Sequence, residues 1–250
     1  EHQEIRDIVF EAQALRSGQE LRGSDLFVPF RFFYIFAFRK IIENMVRTSQ
    51  KGDIHRRILQ AARGEFLQKG FKDTSMRTIS RLSGVTLSNI YNYFRDKDEI
   101  FRAVLTPLLN AFEQLFAEHN SDDYMSKEFF SMDSHQKKLI DDFMVIPTNY
   151  RTELKILLFN SAGSSLENFR DTFVDRYTQE SLRYMKLMKE RYPHIKADFS
   201  DFFLHSMCSL WLTVMGEIVT HDELTDADIK QFITEYIAFG TGGWKELMKI

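Results

Sequence analysis

The sequence predicts an all-α chain, on three observations. From Asp53 onward, apolar residues recur at three- and four-residue steps, the spacing of one helix face. No stretch shows the clean alternation of a half-buried strand. Only 4 prolines and 11 glycines punctuate 250 residues, too few for a loop-rich or all-β fold. The length suffices for one large or two modest domains with a real core. The 44% hydrophobic and 28% charged content is that of a globular protein.

The first 44 residues differ from the rest. "FVPFRFFYIFAFRKII", residues 27–42, is dense in Phe and Ile, and Arg31, Arg39 and Lys40 interrupt it. It is short of the about 20 apolar residues that a membrane span needs. It lacks the flanks of a secretory signal. Met45 is the first methionine, and "MVRTSQKGDIHRRIL" reads as a polar basic arm running into a helix. Residues 1–44 are therefore expected to be a poorly ordered extension from an over-extended start site. The alternative is an accessory helix on the body or on a membrane surface.

The first regular helix is expected from Asp53, its cap, to Gly70, its stop, with Ile54, Ile58, Leu59, Ala62 and Phe66 inward and Arg56, Arg57 and Arg63 outward. A second spans about 75–83, capped by Thr74, with Met76, Ile79 and Leu82 buried and Gly84 as a left-handed stop. A third starts after Thr86 and holds Ile90 and Phe94. Asp96 and Glu99 form a capping box for a fourth, which carries Pro107 and a kink. Beyond 120, helices are expected up to Pro147, from Tyr150 to Gly163, from a Ser164–Glu167 cap to Arg191, and over about 198–220 and 226–248.

The net charge of -3 conceals an asymmetry. Residues 45–97 carry +7, residues 98–250 carry -9 and residues 1–44 carry -1. A basic unit beside an acidic one suits a polyanion. Three short helices with a glycine turn before the third make a helix-turn-helix, whose last helix enters the DNA major groove.

The stretch "ILQAARGEFLQKGFKDTSMRTISRLSGVTLSNIYNYFRDKDEIF" resembles the DNA-binding domain of TetR-family transcriptional regulators. The Gly70–Phe71 pair, Thr74 and Ser75, "TISRLSGV" and the Tyr91, Phe94, Lys97 run carry the resemblance over about 55 residues. Ser80 stands where the family mostly has alanine, and a bond back to its own helix is expected. Met76 stands where small or β-branched residues are usual. The resemblance implies DNA contacts from Ser75, Arg77, Thr86, Leu87, Ser88, Asn89, Tyr91, Asn92, Tyr93 and Lys97, with Arg47 as a further phosphate contact. It places Leu87, Ser88 and Asn89 at the entry of the recognition helix, where Asn89 can bond an adenine edge, Ser88 several bases, and Leu87 a thymine methyl. Thr86 also serves as the helix cap.

The domain expectation is thus 1–44 extension, 45–97 helix-turn-helix, and 98–250 helical effector-binding and dimerisation domain. The family likeness implies a homodimer on a palindromic operator in double-stranded DNA, released by a small effector, so that the protein is a repressor. An apolar or aromatic effector would be lined by Phe143, Tyr150, Phe159, Phe173, Tyr177, Tyr184, Met207 and Trp211. The dimer interface would use Phe202, Ser206, Ser209, Leu210, Ile229, Phe232, Ile233 and Tyr236. The alternative is a DNA-binding protein of the same fold without an effector, acting through protein partners or in chromosome organisation. No cofactor, metal, membrane or enzymatic role is expected. Cys208 is the single cysteine, which fits a reducing, cytoplasmic compartment. His119, His135, His194, His205 and His221 lack metal-ligand spacing.

Overall fold

The computed structural model of the chain describes residues 28–119 and 133–250, with side chains over 50–117 and 137–250. Every regular element among the described residues is a helix: α1 (Val28–Asp73), α2 (Met76–Ser83), α3 (Leu87–Ile90), α4 (Lys97–His119), α5 (Asp133–Asn149), α6 (Arg151–Phe159), α7 (Phe169–Arg191), α8 (Asp201–Thr220) and α9 (Asp226–Met248). The chain divides into two units, Glu1–Gly52 and Asp53–Ile250. In the first unit, residues from Val28 onward belong to α1. The extension expected over 1–44 falls, for residues 1–27, outside the described residues. Asp53 is not a cap, because α1 starts long before it. Its carboxylate instead accepts a hydrogen bond from Arg56 Nη2 at 2.6 Å.

Within the second unit, α1 buries Ile58, Ala62 and Phe66 completely. Gly70 interrupts the helix at φ 74°, ψ 171°, a backbone that a side chain would resist. The break turns Phe71 inward, where it packs on Phe66 and Phe101 at ring distances of 6.0 and 5.0 Å. Burying each such ring stabilises by roughly 1.5–3 kcal/mol.

Ser75, rather than Thr74, caps α2. Its Oγ accepts the Thr78 N–H at 3.1 Å, while Thr74 is buried and its hydroxyl donates to the Gly70 carbonyl at 2.7 Å. The reason is the break at Gly70. It leaves a free carbonyl beside Thr74 and moves the cap by one residue. Leu82, expected inside, is 47% exposed, because Ile79 and Ser83 form the buried side of α2.

α4 runs from the helix-turn-helix into the body, burying Ile100, Phe101, Leu105, Leu108 and Phe112. Pro107 lies inside it without ending it. Half of the expected capping box forms. Asp96 accepts from Glu99 N–H at 2.8 Å, but Glu99 reaches the Arg95 N–H, at 2.6 Å, instead of that of Asp96.

In the body α7 packs on α8, α5 on α9, and α6 on α8. α6 stops at Phe159, short of Gly163. Ser164 and Glu167 stabilise the turn after it rather than capping α7. Ser164 Oγ accepts from Leu166 N–H at 3.1 Å, and Glu167 from Gly163 N–H at 2.9 Å. α7 begins only at Phe169. The last two helices lie where expected, and Thr225 with Asp228 forms a complete capping box for α9. α8 is long and apolar enough to cross a membrane by length and composition. Leu212, Met215 and Val219 are buried, while Phe202 and Leu210 are exposed.

Candidate nucleic-acid interface

The helix-turn-helix is built by a turn with few alternatives. Gly84 sits at φ 64°, ψ 23°, and a Cβ there would lie 2.9 Å from Arg57 Nη2. Arg57 lies on the outer side of α1, yet its guanidinium is not idle. Nη2 and Nε donate to the Ser83 carbonyl at 2.7 and 3.1 Å, closing the C-terminus of α2. Ser80 departs from its expected bond within its own helix. Its Oγ donates across the turn to the Val85 carbonyl at 2.6 Å. That bond satisfies a carbonyl beside the buried Val85 side chain, a task alanine could not perform.

α3 is shorter than expected. Only Leu87–Ile90 are α-helical, and Tyr91–Tyr93 form a tighter turn, with Asn92 and Tyr93 N–H donating three residues back, to Asn89 and Ile90, at 3.1 and 2.9 Å. Ile90 and Phe94 face the core. His55 of α1 stacks on Phe94 at 5.1 Å. The opposite side presents Ser88, Tyr91 and Asn92 to solvent, with Leu87, Asn89 and Tyr93 half-buried. Asn92 Nδ2 donates to Asn89 Oδ1 at 3.3 Å, so the two amides form one polar group. Thr86 occupies the cap position without a side-chain cap bond, and its hydroxyl lies 3.4 Å from that of Ser88. Ser75 and Arg77 are exposed at the start of α2. The side chain of Arg47 lies outside the described residues.

Lys97 departs from its expected place at the phosphates. Its Nζ donates to the carbonyls of Phe71, Thr74 and, more weakly, Lys72, at 2.6, 2.7 and 3.4 Å. It also lies 4.1 Å from the centre of the Phe71 ring. Burial lowers the pKa of this ammonium, and the Asp73 carboxylate opposes the shift. An ammonium has three donors. All three are engaged on the chain's own backbone, so Lys97 ties α4 to the end of α1.

The expected effector residues separate into two groups. Phe173, Tyr177, Trp211 and Phe143 meet in an aromatic cluster with Phe112 and Phe116. Phe173 stacks on Trp211 at 5.6 Å, and Phe143 meets Trp211 edge-on at 6.0 Å. A cavity of about 80 Å³ opens beside it, lined by Phe112, Phe169, Phe173, Tyr177, Arg176 and Glu113 among others. Arg176 grips Glu113 bidentately at 2.5 and 2.7 Å, which holds the Glu113 carboxyl below its ordinary range. Burial raises Tyr177, and it pushes Tyr184 up to about 12. Of the expected effector residues only Phe173 and Tyr177 line this cavity; Phe143, Tyr150, Phe159, Tyr184, Met207 and Trp211 do not. Phe159 is exposed, and Tyr150 stands at the N-cap of α6.

The expected dimer face is also corrected. Ile229 and Ile233 are 0% exposed within the single chain, because their side of α9 packs against α5. Phe202 at 78%, Leu210 and Phe232 are exposed. The sequence reading missed Phe239, also 78% exposed. It lies seven residues after Phe232, which puts both on one helix face. Among the described residues no group of three His, Cys, Asp or Glu could hold a metal. The side chains of His119 and His135 lie outside the described residues.

Comparison with known proteins agrees with this geometry. The profile of "Bacterial regulatory proteins, tetR family" matches residues 58–104, which contain α2, α3 and the start of α4. An uncharacterised HTH-type transcriptional regulator, YhgD of Bacillus subtilis strain 168, is 39% identical over 57 residues. That match spans 23% of this chain and only 30% of YhgD. The fold extends further. NalD, the secondary repressor of the MexAB-OprM multidrug efflux pump in Pseudomonas aeruginosa, is similar over 76% of this chain and 95% of its own, with a TM-score of 0.52 at 18% identity. AibR, solved with isovaleryl coenzyme A and operator DNA, is similar over 73% of this chain and 97% of its own, with a TM-score of 0.50 at 16% identity. The fold and the site define a helix-turn-helix domain of the DNA-binding kind joined to a helical body. Residues 58–104 match the DNA-binding domain of the tetR family, and the rest of the chain shares only its fold with the solved regulators.

Proposed function

We propose that the protein is a dimeric repressor that binds a palindromic operator and leaves it when a small apolar or aromatic effector binds the body. The observation that carries the DNA-reading part is the outer side of the helix-turn-helix. Ser88, Asn89, Tyr91 and Asn92 stand on a short, rigidly seated helix, with Ser75, Arg77 and the N-terminus of α3 at Thr86 beside them. Leu87 and Tyr93 flank this group. Uncompensated apolar exposure supports the dimer. Phe202, Leu210, Phe232 and Phe239 stand out from α8 and α9, and a second copy would cover them. Two-fold symmetry then presents two recognition helices about one DNA turn apart, roughly 34–36 Å. A regulator of this kind works in the cytoplasm.

The aromatic cluster beside the cavity supports the effector. The cavity supports a second reading as well. Among the described residues this cavity, at about 80 Å³, is smaller than the roughly 300–1,000 Å³ of small-molecule sites, which favours that reading, a DNA-binding protein without an effector. DNase footprinting of the full chain on the DNA upstream of its own gene, at low and moderate salt, tests the shared part of both readings. A protected palindrome that survives moderate salt is expected. Unpatterned, salt-sensitive binding at every candidate sequence would refute specific recognition. Release of the footprint by aromatic or acyl compounds then separates the two readings.

A further inference from the structure

We propose that Asn160 is a positioning residue that sets the distance between the two DNA-reading heads. This rests on the dimeric, palindrome-binding reading above. Asn160 is the C-cap of α6, a helix of nine residues. Its backbone N–H, its carbonyl and its side-chain NH2 each carry a bond. Its N–H closes α6 on the Ile156 carbonyl at 2.9 Å. Its carbonyl accepts the Phe71 N–H at 2.8 Å. Its side-chain amide donates to the Leu67 and Phe66 carbonyls at 2.8 and 3.1 Å. Those carbonyls lie in the last turn of α1 before the break at Gly70, where a helix has no partners of its own. The body thus supplies the C-terminal cap of the head's first helix, from about 90 residues further along the chain.

Neighbouring contacts tie the same turn to the head's other boundary. Ser165 N–H donates to Asp98 Oδ1 at 2.7 Å, at the start of α4. The far end of α6 is pinned as well. Arg151 donates to the carbonyls of Leu224 and Ile218, each at 3.1 Å, and Lys155 pairs with Asp222 at 3.0 Å. These partners form the junction of α8 and α9, the helices whose exposed side would carry the dimer. One short rod therefore links the dimer helices to the head, and Asn160 is its joint at the head. The bidentate Arg63–Glu153 pair, with Glu153 mostly buried, crosses the same boundary and is a second tie between α1 and α6.

The test uses the full-length protein and an operator selected from random DNA. Binding is measured on palindromes with the half-site spacing changed by one or two base pairs, and on a single half-site. Wild type should prefer one spacing by about tenfold or more, a common size for coupling between sites. Asn160→Ala, or the isosteric Asn160→Asp if alanine compromises folding, should flatten that preference. Half-site affinity and its salt dependence should not change, and a merely destabilised head would lose those first. Arg56→Ala, whose exposed pair with Asp53 stays within α1, serves as the control and should keep the sharp preference. Folded Asn160 variants that keep wild-type spacing preference would overturn the inference. A wild type indifferent to spacing would instead overturn the dimeric reading beneath it.

Discussion

At the scale of single residues, exposure and bonding separate the side chains proposed to read DNA from those that hold the turn. Asn89 and Asn92 share a weak amide bond that costs little to break, so both amides can turn to base edges. Asn89→Ala should cost about 1–3 kcal/mol on the operator and relax preference at one base pair, read by binding to single-base operator variants. Lys97 behaves in the opposite way. Its ammonium is engaged on three carbonyls, so Lys97→Ala should lower stability by about 1.5–3 kcal/mol in urea unfolding. It should leave the salt dependence of DNA binding unchanged. Arg77→Ala should do the reverse, reducing the salt slope by about one with little effect on stability. From sequence, Lys97 was legible only as a basic residue at a family position. Nothing local reveals that its partners lie more than twenty residues upstream.

At the scale of elements, what reads clearly from sequence is periodicity, and what does not is the choice between neighbouring caps. α4, α8 and α9 lie within a few residues of their expected bounds, because their apolar repeats are long and their stops strong. Thr74 and Ser75 are both good caps, and only the carbonyl freed by the break at Gly70 decides between them. α3 was overestimated because Tyr91–Tyr93 keep near-helical spacing while the bonds of Asn92 and Tyr93 tighten to three residues. The turn before α3 makes a sharper prediction. Gly84→Ala places a side chain in a left-handed backbone, at a cost of roughly 1–2 kcal/mol, and displaces Arg57 from Ser83. Chemical denaturation should show at least that loss. Operator affinity should fall with it, because α3 is aimed by this turn. The α4–α7 pair gives a pH signature. Glu113 is depressed by its hydrogen bond from Arg176, so its contribution is complete above the unfolded carboxylate value. It is lost as pH falls through the lowered folded value. Glu113→Gln should flatten that acid-side loss in a melting-temperature series, by a small amount because both partners are exposed.

At the scale of the whole molecule, the two faces of α9 make different predictions. Ile233→Ala hollows the core and should cost about 2–5 kcal/mol in any oligomeric state. Phe239→Asp touches no core and should instead shift sedimentation from dimer to monomer and abolish protection of the palindrome. A monomer that persists in wild type would remove the basis for a two-fold operator. The sequence marked α8 and α9 as too apolar for a lone subunit. It could not tell inward from outward positions, because both faces of α9 carry large apolar residues, Ile229 and Ile233 on one and Phe232 and Phe239 on the other.

The cap that α6 lends to α1 also bears on engineering. A DNA-reading head cut at 53–97 and grafted onto a foreign sensor would carry unpaired carbonyls at Phe66 and Leu67 and a stranded Phe71 N–H. The transplantable cassette is therefore discontinuous. It needs the turn from Asn160 to Ser165 as well, and chimeras that keep that turn should outlast those that omit it.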